Sequence, residues 1–243
     1  MPTPPHQPWI DIPAGTLVRG TPCEDVSAIF ARHDDLPVDI AWFRKECPRA
    51  EVPMPAYTIA RTPVTHADWE FFARDTGLTN LAEPGLPDHP VTGIRWNDAV
   101  AYCAWLSEQL GAQVRLPTED EWERAARGAD AREYPWGNAY RPGLANLVDV
   151  RAGGTLPVGS FPDGASPFGV LDLAGNCDEW TATVYHPYPG APTEVPQVDP
   201  FAHDPHLTRG GAWLHDRDLA RCARRHGLYD ESPTVVGFRI AAS

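Results

Sequence analysis

Short stretches near the start of the chain alternate between apolar and polar residues, which is the period of a β-strand with one buried face. Residues 9–20 alternate in this way and are interrupted by Pro13-Ala14-Gly15, which predicts a strand and a hairpin. Residues 57–60 alternate again and lead into a helical pattern. The first part of the chain is therefore expected to form strands.

Later segments carry helix-start signals. Thr65, Asn97 and Thr118 each precede a helical pattern, and these residue types accept hydrogen bonds from the free N–H groups of a first helical turn. Asp68 and Glu121 follow the two threonines at the spacing of a capping box. Helices are predicted to begin directly after each of the three capping residues.

Regular periodicity fades in the second half of the chain. After Asn138, glycine and proline interrupt short segments, and the whole chain holds 27 prolines and 20 glycines. Residues 219–223 and 235–241 are predicted to form a closing antiparallel pair. Periodicity alone thus predicts an α+β, loop-rich fold with few long elements.

Length and charge narrow the class of protein. We expect one domain over residues 1–243, with an inserted helix or lid at about 23–49 that could determine specificity. The formal charge of −13 argues against a nucleic-acid partner. No apolar run approaches the roughly 20 residues that cross a bilayer, and the first residues do not form a signal sequence. We therefore expect no membrane partner and a cytoplasmic location.

Cysteine usage points to the same compartment. The five cysteines are odd in number and widely spaced, which favours free thiols in a reducing environment. Cys103 lies at a core position of a predicted helix. A bridge from Cys23 to Cys47 across the insertion is the alternative for that pair.

Five short motifs follow one another in a fixed order: RLPTEDEWE (115–123), YPWGN (134–138), DLAGNCDEW (172–180), RGGAW (209–213) and GFR (237–239). In order and wording they resemble the formylglycine-generating-enzyme superfamily, which includes sulfatase-modifying oxidases, domains of ergothioneine sulfoxide synthases and a pyoverdine-maturation branch. The resemblance covers about residues 10–241 and leaves the stretch from 23 to 49 unassigned. It implies the formylglycine-generating-enzyme fold, an α+β, C-type-lectin-like fold with little regular secondary structure.

The best-known activity of that superfamily depends on residues that this chain lacks. Formylglycine-generating enzymes hold copper with two cysteines shortly after the Gly-Gly motif, and here those positions fall on His215 and Ala220. Ala212 and Val235 also replace polar pocket residues of the family. The sequence therefore predicts that sulfatases are not the substrate.

The resemblance implies two structural calcium sites. In the first, Asp172 and Glu179 would give side-chain oxygens, and Gly175 and Cys177 would give carbonyl oxygens, which suits the preference of calcium for six to eight oxygen ligands. The alternative is that the two acids are a cap and a solvated carboxylate. Asp178 departs from the large apolar residue usual in the family, and could tighten this site or point into a different pocket.

The second implied calcium site comprises Asn146, Leu147 and Asp149. The family uses an asparagine side chain and the next carbonyl at this place. The downstream segment is shorter here than in formylglycine-generating enzymes.

Histidines cluster near the C-terminus and raise the possibility of a transition metal, iron or copper. Two histidines and one carboxylate form the ligand set of non-haem iron(II) oxygenases. His215, at the family's copper position, is expected to pair with His203, His206 or His226. Its neighbour Asp216 would face the other way on an extended strand. The alternative is that these histidines are surface or hydrogen-bonding residues.

Cys222 is a second candidate for chemistry, as a nucleophile or thiolate ligand. Neighbouring arginines would lower its pKa if they faced it. Alternatively, it is a core residue. The candidate catalytic residues are thus His215, Asp216, Cys222 and His226.

Two hypotheses of different classes follow. The first is an oxidoreductase that uses a non-haem metal and dioxygen to oxidise a small molecule or a peptide-bound residue. The second is a non-catalytic, calcium-stabilised, lectin-like module that binds a ligand.

Overall fold

The computed structural model describes residues 8–78, 82, 84–195, 204–228 and 234–243. Its strands are β1 (Trp9–Ile12), β2 (Gly15–Arg19), β3 (Ala50–Met54), β4 (Tyr57–Ala60), β5 (Val114–Arg115), β6 (Asp178–Val184), β7 (Asp204–Arg209), β8 (His226–Leu228), β9 (Val236–Phe238) and β10 (Ala241–Ala242). Its α-helices are α1 (Val26–Ala31), α2 (Ile40–Arg44), α3 (His66–Thr76), α4 (Trp96–Leu110) and α5 (Glu119–Arg127). Short strands and helices joined by long irregular segments confirm the α+β, loop-rich prediction.

Three sheets organise these strands. One has the order β1-β4-β10-β5, a second pairs β2 with β3, and the third has the order β8-β7-β6-β9. The strands predicted at residues 9–20 and 57–60 are present, but the predicted local hairpin is wrong. β1 pairs with β4, and β2 pairs with β3 across the insertion. Longer-range pairing therefore replaces the hairpin.

Two of the three helix starts agree with the sequence. Thr65 with Asp68 and Thr118 with Glu121 form complete capping boxes at α3 and α5. The third helix, α4, begins at Trp96, with Arg95 rather than Asn97 at its N-cap. No side chain caps that end, so a capping signal could not locate it.

The insertion consists of a 3₁₀ turn, α1 and α2. Val26, Phe43 and Cys47 form its own small apolar cluster. Ion pairs join it to the core: Glu46 to Arg221, and Asp35 to Arg217. The Trp42 carbonyl accepts a further bond from Arg224. These arginines all lie between His215 and His226, so the insertion packs against the segment that carries both histidines.

The predicted closing strand pair is wrong. Residues 219–223 form turns, and β9 pairs in parallel with β6. Arg221 and Arg225 are buried where they meet Glu46 and Glu119, at 175 and 106 residues' separation. Such distant ion pairs determine the path of this segment, and local alternation carries no information about them.

Buried ion pairs also hold α5 against the third sheet. Arg209 on β7 bonds both Glu119 and Glu123, and Arg225 bonds Glu119 with two nitrogens. On β6, the fully buried Glu179 pairs with Arg239. β6 and β7 are therefore rigid supports for side chains that project from them. Among the described residues, no helix is long and apolar enough to cross a membrane.

Candidate metal centre

Three side chains converge from β6, from β8 and from the segment that follows β7. Asp178, His215 and His226 each offer one ligand atom, and these atoms lie within 4.8 Å of one another. Asp178 Oδ2 is 3.6 Å from His215 Nδ1 and 3.8 Å from His226 Nε2. Two ligands at about 2.1 Å from one ion are separated by roughly 3–4 Å, so both contacts suit a shared cation.

Asp178 is the carboxylate of the group and the first residue of β6. Its N–H donates to the Val235 carbonyl, and its Oδ1 accepts from the Gly211 N–H at 2.8 Å. This leaves Oδ2 directed towards the histidines. Burial raises the pKa of Asp178 to about 7, and the nearby Glu179 charge adds to the rise. The carboxylate charge is therefore costly here unless a cation is bound.

A tight turn after β7 positions His215. Gly210 and Gly211 have φ values of 97° and 73°, in the region that glycine adopts without strain. The backbone N–H of His215 donates to the Ala212 carbonyl. The ring Nδ1 of His215 accepts from the Ala212 N–H at 2.9 Å. Nδ1 is thus unprotonated in this geometry, and a metal bound at Nδ1 would take the place of the Ala212 N–H as the partner of its single lone pair.

His226 is the first residue of β8, where it pairs with Thr208 of β7. Its ring lies 5.7 Å from the His215 ring, in an edge-to-face arrangement. Burial is the main cause of a pKa well below the usual value, and the charges of Arg224, His215 and Lys45 lower it further. His226 is therefore neutral at pH 7, as a metal ligand must be.

Two neutral imidazoles and one carboxylate are the ligands of the facial triad that holds non-haem iron(II) and leaves positions open. The structure brings His215 together with His226, which is one of the three partners that the sequence predicts for His215. The carboxylate is Asp178, which the sequence pattern alone does not assign to this centre. An acid in a position where the family has a large apolar residue was the signal for it.

Other candidate ligands lie elsewhere. The His206 ring stacks on Trp96 with centroids 3.7 Å apart, and His203 is outside the described residues. Asp216 does not belong to the three-residue group formed by the described residues. Its carboxyl is only partly buried, and burial raises its pKa.

Cys222 occupies the core, which was the alternative to a reactive thiol. It is fully buried beside Trp122 and Leu173. Burial raises the pKa of its thiol to about 12, and this effect exceeds the lowering by Arg127. The neighbouring arginines do not activate it: Arg209 bonds its carbonyl oxygen instead. A neutral, buried thiol is unsuited to serve as a catalytic nucleophile at pH 7.

The first implied calcium site has lost one of its carboxylates. Both oxygens of Glu179 accept from Arg239, at 2.5 and 2.6 Å, and one also accepts from the Trp122 indole. A guanidinium in this position repels a divalent cation, so Glu179 does not fit as a calcium ligand. Asp172 accepts a bond from the Gly159 N–H, and burial raises its pKa to about 6.

The carbonyl ligands of that implied site belong to a turn stabilised by its own hydrogen bonds. The Gly175 carbonyl accepts from the N–H of Cys177, whose side chain is fully buried. Gly175 itself has φ of 73°, and a Cβ there would lie 2.2 Å from the Asn146 carbonyl oxygen. The glycine is therefore needed for close packing of the two segments, whether or not an ion is bound.

At the second implied site, Asn146 retains a ligand atom. Its Nδ2 donates to Gly154 and Asn176, while its buried Oδ1 accepts no hydrogen bond from the described residues. The Leu147 carbonyl accepts from Val150, and Asp149 accepts from the Tyr140 hydroxyl. Asn146 Oδ1 thus fits a calcium ion better than the other members of this set.

Comparison with known proteins agrees with this architecture. The solved structure of PvdO from Pseudomonas aeruginosa superposes with a TM-score of 0.73 at 26% identity, over 97% of this chain and 94% of that one. Hercynine oxygenase of Mycolicibacterium thermoresistibile is 33% identical over 229 residues, covering 74% of this chain and 49% of the relative.

Catalytically inactive proteins are also among the relatives. Inactive C-alpha-formylglycine-generating enzyme 2 of Mus musculus is 36% identical over 171 residues, covering 63% of this chain and 49% of the relative. The chain thus spans about half the length of these curated relatives. The sequence-family model of the sulfatase-modifying factor enzyme 1-like domain matches residues 2–243 of this chain. The chain therefore belongs to the formylglycine-generating-enzyme (sulfatase-modifying factor) family.

Proposed function

We propose that this protein is a metal-dependent oxidoreductase whose centre is formed by Asp178, His215 and His226. Its substrate is a small molecule or a peptide-bound residue, and its oxidant is dioxygen. The observation that carries the proposal is the convergence of two imidazoles and one buried carboxylate within 4.8 Å. The similarity to an oxygenase over 74% of the chain supports the reaction class.

Iron(II) is the metal that this ligand set favours, and bound there it would supply reactivity towards dioxygen. The protein residues orient and tune the ligands. The Gly211 N–H fixes the Asp178 carboxylate, and burial keeps His226 neutral. The side chains of His215 and His226 are 17% and 15% exposed, so a substrate can approach from the solvent side.

Replacing His215 with alanine tests this centre. We expect anaerobic calorimetric titration to give one iron(II) site per wild-type chain and an affinity at least about 100-fold lower in His215→Ala, because ligand number and geometry are both lost. His206→Ala is the matched control, since it removes a partly buried histidine outside the group. Equal affinity in wild type and His215→Ala would reject the centre.

The same titration with copper(I) and calcium discriminates between metals. Preferential binding of copper at the three residues would keep the centre and change its metal. Binding of calcium alone would favour the second hypothesis, a non-catalytic ligand-binding module with a structural ion. Asn146 Oδ1 is the observation that supports calcium in either case.

We also expect no conversion of a sulfatase Cys-x-Pro-x-Arg peptide to formylglycine. In the family that reaction requires a copper-binding thiol pair, whereas this chain has His215 and Ala220 at those positions, and Cys222 is fully buried. Mass spectrometry of the peptide after incubation with copper-loaded protein is the measurement, and an active formylglycine-generating enzyme is the positive control. Aldehyde formation above the peptide-only rate would show that a thiol of this chain is catalytic.

A further inference from the structure

The two ends of the insertion are held side by side. β2 pairs with β3, and the last residue pair, Arg19 with Ala50, lies directly before and after the insertion. Beyond the last strand pair, Thr21 donates to Glu46 twice at 2.9 Å, from its N–H to the carbonyl and from its hydroxyl to the carboxylate. The insertion therefore begins and ends at one fixed point on the core.

A thiol lies near each end of the insertion. Cys23 begins the 3₁₀ turn that leads directly into Val26, and Val26 packs in one cluster with Cys47. Cys23 and Cys47 are both free cysteines, and after the larger effect of burial the nearby Cys23 thiol raises the pKa of the Cys47 thiol. Cys23 is exposed, whereas Cys47 is 1% exposed. The other three cysteines are buried in other parts of the molecule. Cys23 is thus the thiol that a dissolved oxidant meets, and Cys47 is the thiol positioned to react next.

We propose that Cys23 and Cys47 form an oxidative modification site, at which a small-molecule disulfide such as glutathione disulfide converts the two thiols into one intramolecular disulfide. The Cys23 thiolate attacks one glutathione sulfur and releases the first glutathione thiolate. Cys47 then loses its proton, attacks the Cys23 sulfur of the mixed disulfide and releases the second. This step is slow, because burial raises the pKa of the Cys47 thiol to about 12, and it depends on the short separation of the two sulfurs. Two protein thiols are oxidised, and one glutathione disulfide is reduced to two glutathione molecules.

The new bond would fix the insertion on the core. It closes a loop over residues 23–47, which contains α1 and α2. The same loop holds Arg217, Arg221 and Arg224 through Asp35, Glu46 and the Trp42 carbonyl. Those arginines precede His226 in the chain. Oxidation therefore restrains the element that supports one side of the metal centre.

The experiment uses the full chain, reduced and freed of reductant, then equilibrated with glutathione disulfide at pH 8. Intact mass and peptide mapping should show the loss of two hydrogens and a Cys23–Cys47 cross-link. The melting temperature should rise by about 5 °C or more, because the closed loop restricts the unfolded chain. Dithiothreitol should reverse both changes.

Cys23→Ser is the variant of choice, because Cys23 is exposed and the change is small. It should show neither the cross-link nor the rise in melting temperature. Cys47→Ala provides a second test, in which Cys23 should retain a glutathione adduct for lack of a second thiol. A persistent Cys23–glutathione adduct in the wild type, unreacted thiols after equilibration, or an equal rise in Cys23→Ser would each overturn the proposal.

Discussion

Replacing Glu179 with alanine is expected to lower the free energy of unfolding by about 3–5 kcal/mol, because it leaves a buried guanidinium without its counter-charge. Glu179 and Arg239 are both 0% exposed and joined by two hydrogen bonds. Arg239 also bonds the carbonyls of Ala60 and Leu171, so the pair joins β6 to two other segments. Chemical denaturation measures the loss.

The calcium dependence of that loss separates two roles for Glu179. The structure predicts the same loss in calcium and in excess EDTA, because the partner is Arg239. Glu70→Ala, at an exposed glutamate on α3, is the control and should change stability by no more than about 0.5 kcal/mol. A loss seen only with calcium present would restore Glu179 as a calcium ligand.

Replacing Asp178 with asparagine should have two opposite effects. Iron(II) affinity should fall by more than about 100-fold, since the anionic ligand is lost. In EDTA at pH 8, however, the variant should be more stable than the wild type. The neutral amide keeps an oxygen for the Gly211 N–H and removes a buried charge.

The sign of the pH dependence follows from the raised pKa. Asp178 has a pKa of about 7 in the fold against 3.8 for a free side chain. The stability that its protonated form contributes is complete below the unfolded value and is lost as pH rises through about 7. The advantage of Asp178→Asn over the wild type should therefore grow from about pH 4 to pH 7 and stay nearly constant above that, at roughly 1–4 kcal/mol.

Asp216→Asn provides the matched control for the Asp178 experiment. It removes an acid next to His215 that lies outside the three-residue group, and should leave iron affinity within about twofold. Retained affinity in Asp178→Asn, or a large loss in Asp216→Asn, would mean that the carboxylate ligand has been assigned to the wrong residue.

The features predicted correctly from the sequence are those that depend on neighbours in the chain. The capping boxes at Thr65 and Thr118 involve residues three positions apart, so the sequence displays them directly. The segment at 219–223 was mispredicted because Arg221 is drawn to Glu46, 175 positions away. Charge pairing over such distances leaves no periodic trace.

In the candidate metal centre, too, some features could be predicted from the sequence and others depend on contacts between distant segments. His215 could be selected because it occupies a position where the family has a metal-binding cysteine. Its partner could not be chosen among three histidines, because the choice depends on the pairing of β8 with β7 and on the Gly210-Gly211 turn. Asp178 appeared in the sequence only as a departure from a motif, and its role became visible once β6 placed it opposite both rings.

Side chains alternate between the two faces of β6, so the adjacent acids Asp178 and Glu179 point in opposite directions. This separation affects how members of the family can diverge. Glu179 faces inward to Arg239 and lies opposite Gly237, where a Cβ would come within 2.3 Å of the Val91 carbonyl oxygen. That side of the strand tolerates little change. Asp178 faces the histidines, and its ion-pair contacts within the described part of the chain are to those two rings. Evolution can thus exchange the residue at position 178, and with it the chemistry of the site, while the frame around Glu179 stays the same.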